Sequence, residues 1–260
     1  ANNYLAVGEC QHKSVGSDMK CEYCGKDFSG YEAMLTTASD SVTYYEKFSE
    51  ASEAAQKSAD STIKLLNNVS TSNGFNFLEG TFTIDLNGKN MSGGTTAIAF
   101  NYDFNKERNS TAKVTLINTA DEKSTVKGNT YYAAQIEGKD TGTKLTVGRN
   151  DGSASNIEFS TNSGSSHSHA ISIGQGTTEL YGGTYTSTAP NCTAITGSGG
   201  KVVLIIHGGS YTGATGAVYF DGRDLTIEGG EFKASDAFAL VIGDERNGVR
   251  NVELSGGTFK

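Results

Sequence analysis

The side chains best suited to chemistry lie at the start of the chain, where Cys10-x-His12 precedes Cys21-x2-Cys24-Gly25. Two cysteines at i and i+3 around a tight turn aim both sulfurs at one point, and the Cys/His pair ahead of them completes four tetrahedral donors. The set Cys10, His12, Cys21 and Cys24 therefore predicts a structural zinc site. A full ligand count leaves no open position for the water that catalytic zinc needs. The same spacing also admits free thiols at 21 and 24, or a disulfide from Cys10 in an extracellular setting. Cys192, far from the others, reads as a small buried hydrophobe.

Further candidates are weaker. Asp221, Arg223 and Asp224 share one short segment, and Asp236, Asp244, Glu245 and Arg246 follow it. Clustered carboxylates can serve as acid and base, but no Asp-Asp pair or Arg-Lys couplet recurs at a fixed interval, so these read first as solvated loop charge. His167-Ser168-His169 puts two imidazoles on one strand face, a possible metal pair, although the Ser/Gly-rich run 160–169 also reads as a loop. Asn68, Asn90, Asn109 and Asn191 fall in Asn-x-Ser/Thr triplets at about the number chance would give. Phosphate-cradling loops, nucleophile elbows and dinucleotide fingerprints are missing from the sequence.

The elements that must position these residues are announced by a repeat. The phrase apolar-x-Gly-Gly-x-aromatic occurs as Leu180 to Tyr185, Ile206 to Tyr211, Ile227 to Phe232 and Leu254 to Phe259, with its glycine pairs 26, 21 and 27 residues apart. Such a period belongs to stacked coils. Short strands follow each pair, at Ala194 to Gly197, Ala217 to Phe220 and Ala237 to Val241, and a third strand precedes the next pair. A coil of two or three strands cannot bury its own apolar side, whereas stacked coils close a continuous interior and pair their backbones about 4.8 Å apart. Glycine suits the corners, and the aromatic after each pair falls in register with its neighbours, which predicts a ladder of rings. Weaker copies run upstream from Phe82, Val114, Leu145 and Asn156, so residues 62–260 predict about eight coils.

Ahead of the coils, Glu46 to Ala59 carries Phe48, Ala51, Ala55 and Ala59 on one helical face, as expected for a helix that caps the open end of a solenoid. The expected organisation is a Cys/His zinc-binding module over 1–40, a capping strand and helix over 41–61, and the solenoid over 62–260.

Composition agrees with an all-β chain. Of 260 residues 33 are glycine and one is proline, which excludes collagen-like and proline-rich sequences. A formal charge of -8 disfavours nucleic acid and anionic membrane surfaces as partners. No apolar stretch is long enough to span a bilayer.

The coil phrases resemble those of right-handed parallel β-helix proteins, the pectate-lyase-like superfamily, over about three quarters of the chain. The run from the Cys/His module through Tyr44-Tyr45, the Ala-rich helix and Thr62-Ile63-Lys64-Leu65-Leu66 resembles segments of large multidomain surface proteins of Gram-positive bacteria. The resemblance implies a right-handed β-helix, an extracellular cell-surface location, and other domains in a longer parent chain. The start at Ala1 and the end directly after a repeat phrase are read the same way, with more coils or a cap expected after Lys260. Polysaccharide lyases and hydrolases occur on this fold, so two functions stand. The first is a non-enzymatic scaffold or adhesin that binds glycan or host surface protein. The second is cleavage of an extracellular polysaccharide around Asp221 to Asp224.

Overall fold

A computed structural model describes residues 10, 12, 15–16, 18–101, 110–161, 167–243 and 251–260. Asn109, Asp244, Glu245 and Arg246 lie outside the described residues.

The chain enters through an antiparallel hairpin, β1 (Ala33–Thr36) and β2 (Val42–Tyr45), followed by one helix, α1 (Phe48–Gln56). The helix is shorter than its apolar pattern predicts, and its ends explain why. Lys47 at the N-cap offers no side-chain acceptor, so the Phe48 N–H is received by Glu32 Oε2 at 2.8 Å. At the other end the Lys57 and Ser58 amides fall back on the carbonyls of Ala54 and Ala55, which tightens the last turn. Phe48, Ala51 and Ala55 are buried over the first coil, so the helix covers the apolar end of the stack.

From β3 (Ser61–Leu65) onward the chain is a parallel β-solenoid in which strands alternate between stacked sheets. Successive turns of the first face begin with β3, Thr81–Asp85, Lys113–Ile117 and Lys144–Val147. It continues through the C-terminal halves of Ile171–Leu180, Thr193–Ile206 and Gly216–Ile227, and reaches Asn251–Leu254. The second face runs from Val69–Thr71 to Thr258–Phe259 as a separate sheet of eight strands. The third runs from Phe75–Asn76 to Leu240–Ile242. The three longest strands turn from the third face into the first without interruption, where separate short strands were expected. Two of them shift register at the bend, between Ile173 and Gly176 and between Gly199 and Val203.

Equivalent positions stack. The outward column Thr62, Thr83, Thr115, Thr146, Glu179, Ile205, Thr226 and Glu253 marks eight successive turns. Its steps range from 21 residues (Thr62 to Thr83) to 33 (Thr146 to Glu179). Inward columns are aliphatic on the first face, for example Ile63, Ile84, Leu116, Val147, Leu180, Ile206 and Ile227, all fully buried. On the second face Phe159, Tyr185, Tyr211, Phe232 and Phe259 stack with centroids 4.8–5.1 Å apart and planes within 18°. The predicted ring ladder therefore lies inside the rod from Phe159 to Phe232, and Phe259 on the last turn is exposed.

The Gly-Gly-x-aromatic phrase is a single packing unit. At the second glycine φ is +111° for Gly209, and a Cβ there would sit 2.9 Å from the Gly183 carbonyl oxygen and 3.0 Å from Tyr211 Oη. The ring folds back beneath the corner, and the buried phenol satisfies itself on the first glycine: Tyr185 donates to the Gly182 carbonyl (2.8 Å) and Tyr211 to that of Gly208 (2.6 Å). Upstream corners keep single left-handed glycines, Gly88 and Gly148, and add asparagine. Asn87 takes φ +49° and donates to the Leu65 carbonyl, and Asn118 donates to the carbonyls of Glu122 and Asn156. Asn68 and Asn90 each receive an amide from the next turn, Asn90 N at 2.9 Å and Thr125 N at 2.8 Å. Their glycosylation-like triplets thus have a structural use.

Buried hydroxyls enter the inward columns at Ser61, Ser124 and Thr178. Thr178 stands between Leu145 and Leu204 in register, fully buried, with its hydroxyl unpaired. Replacing it with the isosteric valine removes that desolvation cost. In thermal and denaturant melts, Thr178→Val is expected to stabilise the protein by about 1 kcal/mol. Gly209→Ala is expected to destabilise it by about 1–3 kcal/mol. The opposite order would mean that neither the buried hydroxyl nor the corner geometry is as described.

Candidate metal centre

The sulfur and imidazole donors of the N-terminal segment converge. Donor atoms of Cys10, His12, Cys21 and Cys24 all lie within 4.8 Å of one another. Cys10 Sγ is 3.4 Å from Cys21 Sγ, and Cys24 Sγ is 3.3 Å from His12 Nδ1. Four donors about 2.3 Å from a common tetrahedral centre would be about 3.7 Å apart, so the cluster could hold a metal ion with only small adjustment.

Local backbone chemistry builds this geometry. Cys21 to Lys26 forms a knuckle in which the Gly25 amide donates to the Cys21 carbonyl (2.8 Å) and the Cys21 amide to that of Lys26 (2.9 Å). Gly25 supplies the left-handed turn at φ +72°. Ahead of it, Val15 bridges Cys21 and Lys20 bridges Asp27 in antiparallel sense. Lys20 is thus extended, and the left-handed residue of that approach is Met19, at φ +59°.

Electrostatics separates the donors. His12 hydrogen bonding pulls the Cys21 thiol down to about 6, so it is thiolate at neutral pH. Cys10 goes the other way: the backbone at His12 lowers it, but Cys21, burial and Cys24 together raise it. Metal binding at the centre would require the thiols in their deprotonated form and so release protons.

An aromatic bracket that the sequence reading missed holds the module on the solenoid. Phe28, 1% exposed, packs edge-on to His12 (5.2 Å) and Tyr31 (5.0 Å) and lies 4.0 Å from the Tyr44 ring. Tyr44 Oη donates to the His12 carbonyl (2.9 Å), and Asn67 donates to the carbonyls of Ser29 and Tyr31. The available signal was Phe28 and Tyr31 close behind Cys24, with Tyr44 further along, in a chain without tryptophan.

The other candidates do not converge in this way. Asp224 is bound by Arg223 (2.7 Å) and by Asn251 (2.8 Å), while Asp221 is buried two strand positions before the chain turns onto the first face. Asp236 is exposed in the following turn. His169 Nδ1 bonds the Thr193 carbonyl (2.9 Å) and its ring stacks on Tyr132, while Ser168 between the histidines is buried. Among the described residues, the Cys/His cluster is the one grouping of three or more such side chains arranged to hold a metal. Cys192 is fully buried, with its thiol pushed up by burial.

The sequence also gave no notice of an ionic chain on the outer first face. His207 stacks on Tyr181 (4.3 Å, 6°) and reaches Glu228 through Nδ1 (2.6 Å) and Glu179 through Nε2 (3.2 Å). Glu179 also receives Tyr181 Oη (3.0 Å) and Lys144. The chain ties four successive turns. Burial alone would lower the His207 pKa, but Glu228 and Glu179 outweigh it and raise it. Burial would raise Glu179, but Lys144, His207 and Tyr181 hold it low.

Comparison with protein-family models, characterised proteins and solved structures returns no match to this chain.

Two measurements test the metal centre and the ionic chain. Metal titration of the reduced protein is expected to saturate at one thiophilic divalent ion per chain, with Cys24→Ala losing stoichiometric binding. A native chain that binds none would remove the centre. For the ionic chain, the His207 contribution is complete below its unfolded pKa, near 6.5, and is lost as pH rises through the raised folded value. The Glu179 contribution is present above about 4.3 and is lost as pH falls through its depressed value. Native protein should therefore exceed His207→Gln in stability at pH 5.5, and the gap should shrink by about 0.5 kcal/mol at pH 8.5. An unchanged gap would dissolve the cross-turn clamp.

Proposed function

We propose that this chain is a non-enzymatic, zinc-stapled β-solenoid domain of a Gram-positive cell-surface protein, a scaffold or adhesin that spaces and presents surfaces for host or environmental glycan or protein. The observation that carries the proposal is the continuity of the stacked columns, from the helix-capped end through every described turn. Side-chain chemistry is directed along the axis: buried rings, asparagine corners and the His207 chain all join one turn to the next. Such a rod resists bending and keeps its outer faces at fixed intervals.

Zinc fits three thiolates and one imidazole better than harder cations do, and four protein donors make the site structural. Bound zinc would also shield thiols that an oxidising exterior otherwise turns into disulfides. The competing enzymatic reading, centred on Asp221 to Asp224, has to free Asp224 from Arg223 and Asn251 before it can act as acid or base.

The test is incubation of the zinc-loaded chain with a panel of acidic and neutral polysaccharides, mucin and matrix proteins, scoring both retained protein and newly released sugar ends. Retention without release is expected. Release of sugar ends that Asp224→Ala abolishes would replace the scaffold reading with an enzymatic one.

A further inference from the structure

A cleft of about 360 Å³ lies between the metal module and the first turns of the solenoid. Its floor is one cross-strand rank of the first sheet, Tyr44, Met34 and Lys64, which are directly opposed in register across β2, β1 and β3. Leu66 extends the floor, and Val15 and Met19 from the metal module form the facing wall. All six side chains are partly covered and partly open.

Lys64 stands out among them. Asp85, the residue opposite it in the next strand, has turned to the following turn: its carboxylate accepts Thr119 N (3.0 Å), Thr119 Oγ1 (2.6 Å) and Asn87 N (3.0 Å). Among the described residues Lys64 makes no ion pair, although acidic residues outnumber basic ones by 29 to 21 over the chain. A half-covered lysine stem with an ammonium that no described carboxylate pairs leaves that charge available to an anionic ligand. Gly16 and Asn87, whose amide is engaged on the Leu65 carbonyl, complete the rim, and the remaining lining is aliphatic, thioether and aromatic; unbranched methionines adapt their shape to an apolar guest. The volume is in the range of small-molecule sites.

We propose that this cleft binds a small amphipathic carboxylate, its anionic head on Lys64 and its apolar body between Met19, Met34 and Leu66. The metal module supplies one wall, so occupancy and metal loading are coupled, each favouring the other. The inference is independent of the surface-scaffold reading.

The chain carries its own reporters. It has three methionines, of which Met19 and Met34 line the cleft and Met91 is fully buried in the core. The experiment is a titration of the metal-loaded full chain, labelled at the methionine methyls, with octanoate, octan-1-ol and octylamine. Octanoate is expected to shift the Met19 and Met34 signals saturably, leave Met91 in place, and bind at least about tenfold more tightly than the alcohol or the amine. Lys64→Gln should abolish the preference for the acid, and Lys64→Arg should retain it. Chelation of the metal should weaken octanoate binding by about tenfold or more. Equal binding of the three probes, shifts at all three methionines, no saturation by about 10 mM, or affinity unchanged by chelation would each overturn the proposal.

Discussion

The parallel backbone ladder between turns governs everything else in this molecule. A strand that hydrogen-bonds to the same strand one turn away must place each side chain directly above its counterpart, at the strand spacing of about 4.8 Å. Rings separated by 4.8 Å on the second face are the visible result. Like must therefore tolerate like, and the inward columns are accordingly aliphatic or aromatic through most of their length. Outward columns face the same rule with charges: Lys113 stands in register with Lys144, which turns to Glu179 instead, and around His207 the signs alternate. His207 is placed between two glutamates, and Glu179 between His207 and Lys144.

The ladder also explains which parts of the fold were legible in the sequence. In the downstream half the corner demands a left-handed residue with a ring folded beneath it, and glycine followed by an aromatic is nearly the sole solution. The phrase therefore recurs with little change. Upstream the same corner is closed by asparagine side chains bonding to neighbouring backbone, a solution that leaves no fixed motif. Steps of up to 33 residues between equivalent positions obscured the period further. The capping helix was readable from its apolar face, but its start was set by Glu32, an acceptor sixteen residues away in sequence.

The metal centre was legible for a different reason. Ligand identity and spacing are local, so Cys10, His12, Cys21 and Cys24 could be grouped without knowing the fold. Their support could not. Phe28, Tyr31 and Tyr44 act through contacts between the module and the hairpin, and Lys64 owes its unpaired charge to an aspartate that turned toward Thr119. Such relationships depend on register between strands far apart in sequence, which composition and periodicity do not encode.

The uneven length of the turns has an evolutionary consequence. Strand registers stay fixed while the length of chain between them changes. Lengthening a connection costs little, about 0.6 kcal/mol for each doubling of a flexible loop, whereas altering a stacked column disturbs two neighbours at once. Variation in such a lineage is thereby channelled into the connections between strands. The rod can diversify what it carries while keeping its own gauge constant.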